Sequence, residues 1–170
     1  MRLFLLITPI LMLIPACATT KGVYGMKHTD KPIVVKHTFN QQPSVVWKAI
    51  TDPGQMKQWL FEPIERFEPK VGFETVFVVD VEGTRYPHRW KVTEAEVNKK
   101  VQLSWKYDGF AGAAVVTFQL NEVDEDKTEL QLTHIAIEDF GDEEIFSRKI
   151  GEEGWNFLIK ESLQKHLEKN

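Results

Sequence analysis

The side chains with most to offer a ligand or a substrate are two histidines and a set of large aromatic rings. His88 sits on the alternation Tyr86, His88, Trp90, Val92, and His134 on Leu130, Leu132, His134, Ala136, so both imidazoles share a face with apolar residues. An inward imidazole can orient a polar ligand group or move a proton. The plainer role is a hydrogen-bonded core histidine, and neither residue has a carboxylate at a recognisable spacing to complete an acid–base pair. Five tryptophans add broad apolar faces, each with one indole donor, the usual material of pocket walls. Trp47, between Val46 and Ile50 at helical spacing, reads as core. Trp59 is expected at a pocket mouth. Trp90, Trp105 and Trp155 are expected to face a gap between a sheet and a helix, with Phe77, Phe118 and Ile159 on the same inward faces. These residues, with His88 and His134, form the candidate lining for a small hydrophobic ligand, in a pocket on the order of 300–1,000 Å³.

Other chemistries find little support. No His/Asp/Glu pair has helix-ligand spacing and the only cysteine is Cys17, so neither a metal nor a cofactor is expected. Asp139, Asp142, Glu143, Glu144, Glu152 and Glu153 read as a solvated loop and a helix N-terminus, where the dipole favours carboxylates. There is no nucleophile elbow and no phosphate loop, and no catalytic residue is assigned. A net charge of −4 without a Lys/Arg cluster gives no attraction to nucleic acid phosphates.

The N-terminus carries a different signal. After Met1-Arg2, residues 3–16 (LFLLITPILMLIPA) are an apolar run of 14, followed at once by Cys17. A membrane-spanning helix needs about 20 such residues; a secretory signal core needs roughly 7–15. Ile14-Pro15-Ala16-Cys17 resembles a bacterial lipobox, whose cysteine becomes the lipidated first residue of the mature chain. The thiol is the nucleophile such a thioether requires, and acyl chains then hold the chain by about 0.8 kcal/mol per buried methylene. Ala18, rather than Asp, resembles outer-membrane sorting. The expectation is a signal peptide over 1–16, a lipidated cysteine and tether over 17–31, and one domain over 32–170 facing the periplasm. A periplasmic or secreted chain is the alternative.

Positioning these side chains requires an ordered set of elements. Ile33, Val35, His37 and Phe39 alternate as a first strand. Pro43-Ser44 opens one short helix, and Asp52-Pro53-Gly54 breaks it before a second, QMKQWL. Residues 64–69 can pair as a short edge strand. Five longer alternating runs follow, with turns at Glu82-Gly83, Asn98-Lys99, Asp108-Gly109 and Asp124-Glu125-Asp126. Such short loops imply an antiparallel meander. Residues 138–154 read as acidic and glycine-broken. From Trp155, a last helix carries Leu158, Ile159, Ser162, Leu163 and Leu167 on one face. The fold class expected is α+β, a helix-grip architecture: a curved antiparallel sheet of about seven strands wrapped on a long C-terminal helix, with two short helices after strand 1. A twisted sheet curls around such a helix without touching it everywhere, and the gap is a pocket.

The run PSVVWKAITDP (residues 43–53), Met56-Lys57-Gln58-Trp59, Val71-Gly72-Phe73, Leu132-Thr133-His134 and Gly154-Trp155 together resemble the SRPBCC (START/birch-pollen-allergen-like) superfamily. Within it they resemble the family of homologues of the heat-shock-protein-90 ATPase activator. Leu60 stands where a second tryptophan is usual, and Thr133-His134-Ile135-Ala136-Ile137 replaces the usual turn. The resemblance implies a helix-grip fold and a small-molecule-binding domain without one shared catalytic constellation. The expected function is an envelope-tethered binding protein for a small hydrophobic ligand, touching the membrane through its anchor only. The alternatives are an enzyme on an apolar or polyketide-like substrate using His88 or His134, and a protein–protein module assisting an envelope partner as a chaperone activator does.

Overall fold

The structure is a computed structural model and describes residues 25–169. The expected signal peptide, Cys17 and the first part of the tether lie outside the described residues. β1 spans Ile33–Phe39, followed by helices α1 (Pro43–Thr51) and α2 (Pro53–Trp59). The meander comprises β2 (Glu74–Val81), β3 (Thr84–Glu96), β4 (Lys100–Tyr107), β5 (Ala113–Asp124) and β6 (Lys127–Glu138). A 3-10 turn (Glu144–Phe146) leads to α3 (Arg148–Phe157), a π-helical segment (Leu158–Leu163) and α4 (Gln164–Leu167). The sheet order is β1-β6-β5-β4-β3-β2, antiparallel throughout. This is the expected α+β helix-grip arrangement.

Local chemistry explains the joints. Pro43 and Pro53 begin their helices where a backbone N–H would have no partner. The Asp52 carboxylate caps α2, accepting from the Gln55 N–H at 2.9 Å. The β2–β3 hairpin closes on Glu82 and Gly83 with φ of 52° and 83°, the two-residue turn whose twist suits antiparallel strands.

Three expectations are corrected. The sheet has six strands among the described residues, not about seven, because residues 64–69 join no ladder. Ile64 and Phe67 are both buried, a spacing of three that alternating strand geometry cannot provide, and Phe67 instead plugs the core edge-on to Trp90 at 6.3 Å. The last helix begins at Arg148 rather than Trp155, capped by the Ser147 hydroxyl, which accepts from the Ile150 N–H at 3.3 Å. Gly151 and Gly154 therefore lie inside the helix and do not break it. Packing also starts before residue 32. The Met26 N–H donates to the Phe146 carbonyl and the Phe140 N–H to the Met26 carbonyl, both at 2.9 Å. A Cβ at Gly25 would run into the carbonyls of Phe140 and Gly141, so only glycine can enter here.

The C-terminal helix meets the sheet through Trp155, Ile159, Leu163 and Leu167, all buried and spaced by four. In an α-helix each step of four drifts by about 40°, so the row would wind off the sheet. The wider π turn at Leu158–Leu163 keeps the row on one line. Its far end is solidly packed: Val46, Ile50, Met56, Leu130, Leu132, Ile159 and Leu163 are essentially inaccessible. The near end, under α3, is not.

Candidate functional site

A cavity of about 220 Å³ lies between α3, the inner face of β2–β4 and β6, and the residues 140–146 that precede α3. The strand register builds its wall. His88 is paired with Tyr107 and Trp90 with Trp105 across β3 and β4, so two adjacent rows of rings point inward. His134 enters from β6 and Trp155 from α3. Their contact is polar: the Trp155 indole N–H donates to His134 Nδ1 at 2.8 Å, tying sheet to helix. Phe140, Phe146 and Met26 close one end, with Phe146 5.0 Å from the Tyr107 ring and 5.9 Å from Tyr86. Val81 and Ile150, both partly exposed, stand at the rim.

Four of the nine residues expected to line a pocket do so: His88, Trp105, His134 and Trp155. The other five are core around it. Phe77 stacks on His88 at 4.9 Å and meets Trp90 edge-on at 4.7 Å, so both rings back the wall. Phe118 stands 6.0 Å from Trp155, and Ile159 is fully buried in the row beneath α3. Trp59 is no mouth residue: its indole N–H donates to the Ala49 carbonyl at 2.8 Å, and its own carbonyl accepts from the Ser162 hydroxyl at 2.8 Å. It braces α2 against α1 and the π segment. Conversely, Phe61, Phe140, Phe146 and Met26 line the cavity from loops and the N-terminal segment, where no periodicity announces an inward residue. The cavity is also smaller than the expected 300 Å³.

The site is uncharged at neutral pH. Burial lowers the His88 pKa to about 4, opposed only in part by its hydrogen bond to the Tyr86 carbonyl at 2.9 Å. Burial alone lowers His134 to about 4, and burial raises the Tyr107 phenol to about 12 against a smaller opposing effect of the adjacent Trp105 indole. The two neutral imidazoles take opposite tautomers. His88 carries its proton on Nδ1, where it donates to the carbonyl, leaving Nε2 with a lone pair. His134 accepts at Nδ1 and so carries its proton on Nε2, which is buried without a hydrogen-bond partner. The indole nitrogens of Trp90 and Trp105 are likewise buried without such partners, their two rings lying 4.5 Å apart centre to centre. No cluster of three or more metal-ligating side chains occurs among the described residues. No helix among them is long and apolar enough to cross a membrane.

Residues 40–168 match the family model described as activator of Hsp90 ATPase homolog 1-like protein. The chain belongs to that family. The fold of this Hsp90-activator-homologue family is one of ligand-binding and chaperone-activator modules. Solved structures share it at low identity. Protein Mll3558 from Rhizobium loti superposes with a TM-score of 0.69 at 20% identity, covering 80% of this chain and 96% of its own. Protein MLL2253 from Mesorhizobium loti gives 0.63 at 22%, covering 82% and 98%. A protein from Arthrobacter aurescens gives 0.63 at 17%, covering 89% and 94%. These likenesses establish the fold alone. No curated protein matches the chain.

Proposed function

We propose that this member of the Hsp90-activator-homologue family is a binding protein for a small, neutral, apolar ligand, held at the bacterial envelope through Cys17. The observation that carries the reading is the cavity: about 220 Å³, walled by aromatic and aliphatic side chains, with no Asp, Glu, Lys or Arg among its lining residues. A dry apolar void of about 150 Å³ is enough to bind benzene, so this one suits a guest of about two fused rings or a short acyl segment. A charged ligand would find no counter-charge inside and would lose its hydration. Proton transfer is a weaker reading, because an imidazole with a pKa near 4 is a poor base at neutral pH and neither one hydrogen-bonds a carboxylate. The anchor reading rests on the apolar run ending at Cys17, with Ala18 favouring the outer membrane.

Organic extraction of the purified protein followed by mass spectrometry tests the binding reading. One neutral apolar compound at close to one equivalent is expected; an empty extract, with no apolar probe taken up afterwards, would reject it. Metabolic labelling with an alkyne fatty acid tests the anchor. Label on wild type and none on Cys17→Ala is expected, and an unlabelled wild type ends the claim.

A further inference from the structure

One face of α3 borders the cavity with the spacing of a single helical stripe: Ser147, Ile150, Gly151, Gly154, Trp155 and Leu158. Two glycines on one stripe of a ten-residue helix are unexpected, since glycine is the least favourable helix former after proline. Neither has the positive φ that would call for glycine. Gly151 has a packing reason: a Cβ there would meet Ile33 Cδ1 at 3.0 Å and lie 3.8 Å from Met26 Sδ. Gly154 has none. A Cβ built on it meets no heavy atom within 4 Å, although Gly154 is half-buried, immediately precedes buried Trp155 and lines the cavity.

We infer that Gly154 sets the size limit of the ligand: the space its missing side chain leaves is part of the berth, and the helix carries a poor residue there to keep it open. The inference rests on the reading of the cavity as a ligand site and names a residue that determines its specificity. A helical Cβ points toward the helix N-terminus, so a side chain at 154 would project toward Ile150 and Gly151, along the route from the rim. A leucine at 154 would add four carbon atoms to this space, enough to occupy a substantial part of the 220 Å³.

The test uses two neutral two-ring probes of different length, 1-naphthol and the longer 1-ethoxynaphthalene, titrated by fluorescence into wild type, Gly154→Ala and Gly154→Leu. Wild type is expected to bind both. Gly154→Ala should weaken the longer probe several-fold while changing 1-naphthol less than about threefold, and Gly154→Leu should abolish the longer probe. Thermal unfolding supplies the independent readout. Gly154→Ala should raise Tm by about 2–4 °C, since the alanine meets no neighbour and favours the helix. A lowered Tm for Gly154→Ala, or an unchanged affinity of the folded alanine variant for the longer probe, would overturn the inference while leaving the ligand site standing. If wild type binds neither probe, the binding reading falls and the size-limit inference with it.

Discussion

Two imidazoles buried without a charge partner make the stability of this fold depend on acid in a narrow window. In the unfolded chain each takes up a proton near pH 6.5, but in the fold burial delays protonation of His88 and His134 to about 4. Between these values the unfolded chain binds more protons, so lowering the pH draws the equilibrium toward it. Their contribution is therefore complete above about pH 6.5, declines as the pH falls and is gone below about 4. Integrating the linkage from pH 7 to 5 gives a loss of about 2 kcal/mol for each histidine, or about 4 kcal/mol together. That is a large share of the roughly 5–15 kcal/mol by which most domains are stable. Urea unfolding at pH 7, 6 and 5 measures it. The decisive comparison is with His134→Gln, whose amide oxygen can still accept from the Trp155 N–H but cannot titrate. The variant should lose about 2 kcal/mol less than wild type over the same interval. Equal losses within about 0.5 kcal/mol would mean that the imidazole of wild type protonates in place. The site would then be wet rather than apolar, and the reasoning from burial would be refuted.

Other substitutions separate wall from core. Trp155→Phe keeps a ring but leaves His134 Nδ1 without its donor, so it should destabilise by about 1–3 kcal/mol in chemical denaturation and release the imidazole tautomer seen by nitrogen NMR. Trp59→Phe removes the indole bond to Ala49 from a position away from the cavity; it should cost about 1 kcal/mol or more by thermal unfolding and leave apolar probe affinity unchanged. Ser147→Ala removes the cap of α3 and should lower stability by about 1 kcal/mol, read as a smaller urea midpoint at constant slope.

Much of the architecture was legible because each element depends on a local pattern. Period-two runs mark β2 to β6, and Glu82-Gly83 and Asn98, which take the positive φ of their turns, mark the ends of strands. Pro43 and Asp52-Pro53 open the two short helices. Residues 64–69 misled because apolar residues flanked by prolines resemble a strand, whereas Ile64 and Phe67 point the same way to fill the core. The helix start misled because glycine usually ends a helix, whereas Gly151 and Gly154 are there for proximity and space.

The site was half legible. Alternation showed that His88, Trp105 and His134 face inward, but it showed the same of Phe77, Trp90 and Phe118. Which inward ring meets a void and which meets another ring depends on where α3 lies over the sheet, a tertiary fact. The closing end of the cavity was hidden for another reason. Phe140, Phe146 and Met26 belong to non-repeating segments, and Met26 arrives from a stretch whose composition reads as a tether. The nearest sequence signal is Gly25, placed where two backbones meet.

Binding of an apolar guest requires that the cavity under α3 be open to one. Diffraction from crystals pressurised with xenon, an apolar atom that enters dry cavities, tests it without knowledge of the natural ligand. A xenon peak bounded by Trp105, Trp155 and Phe146 is expected. Difference density confined to the surface, with those rings closed on one another, would contradict it.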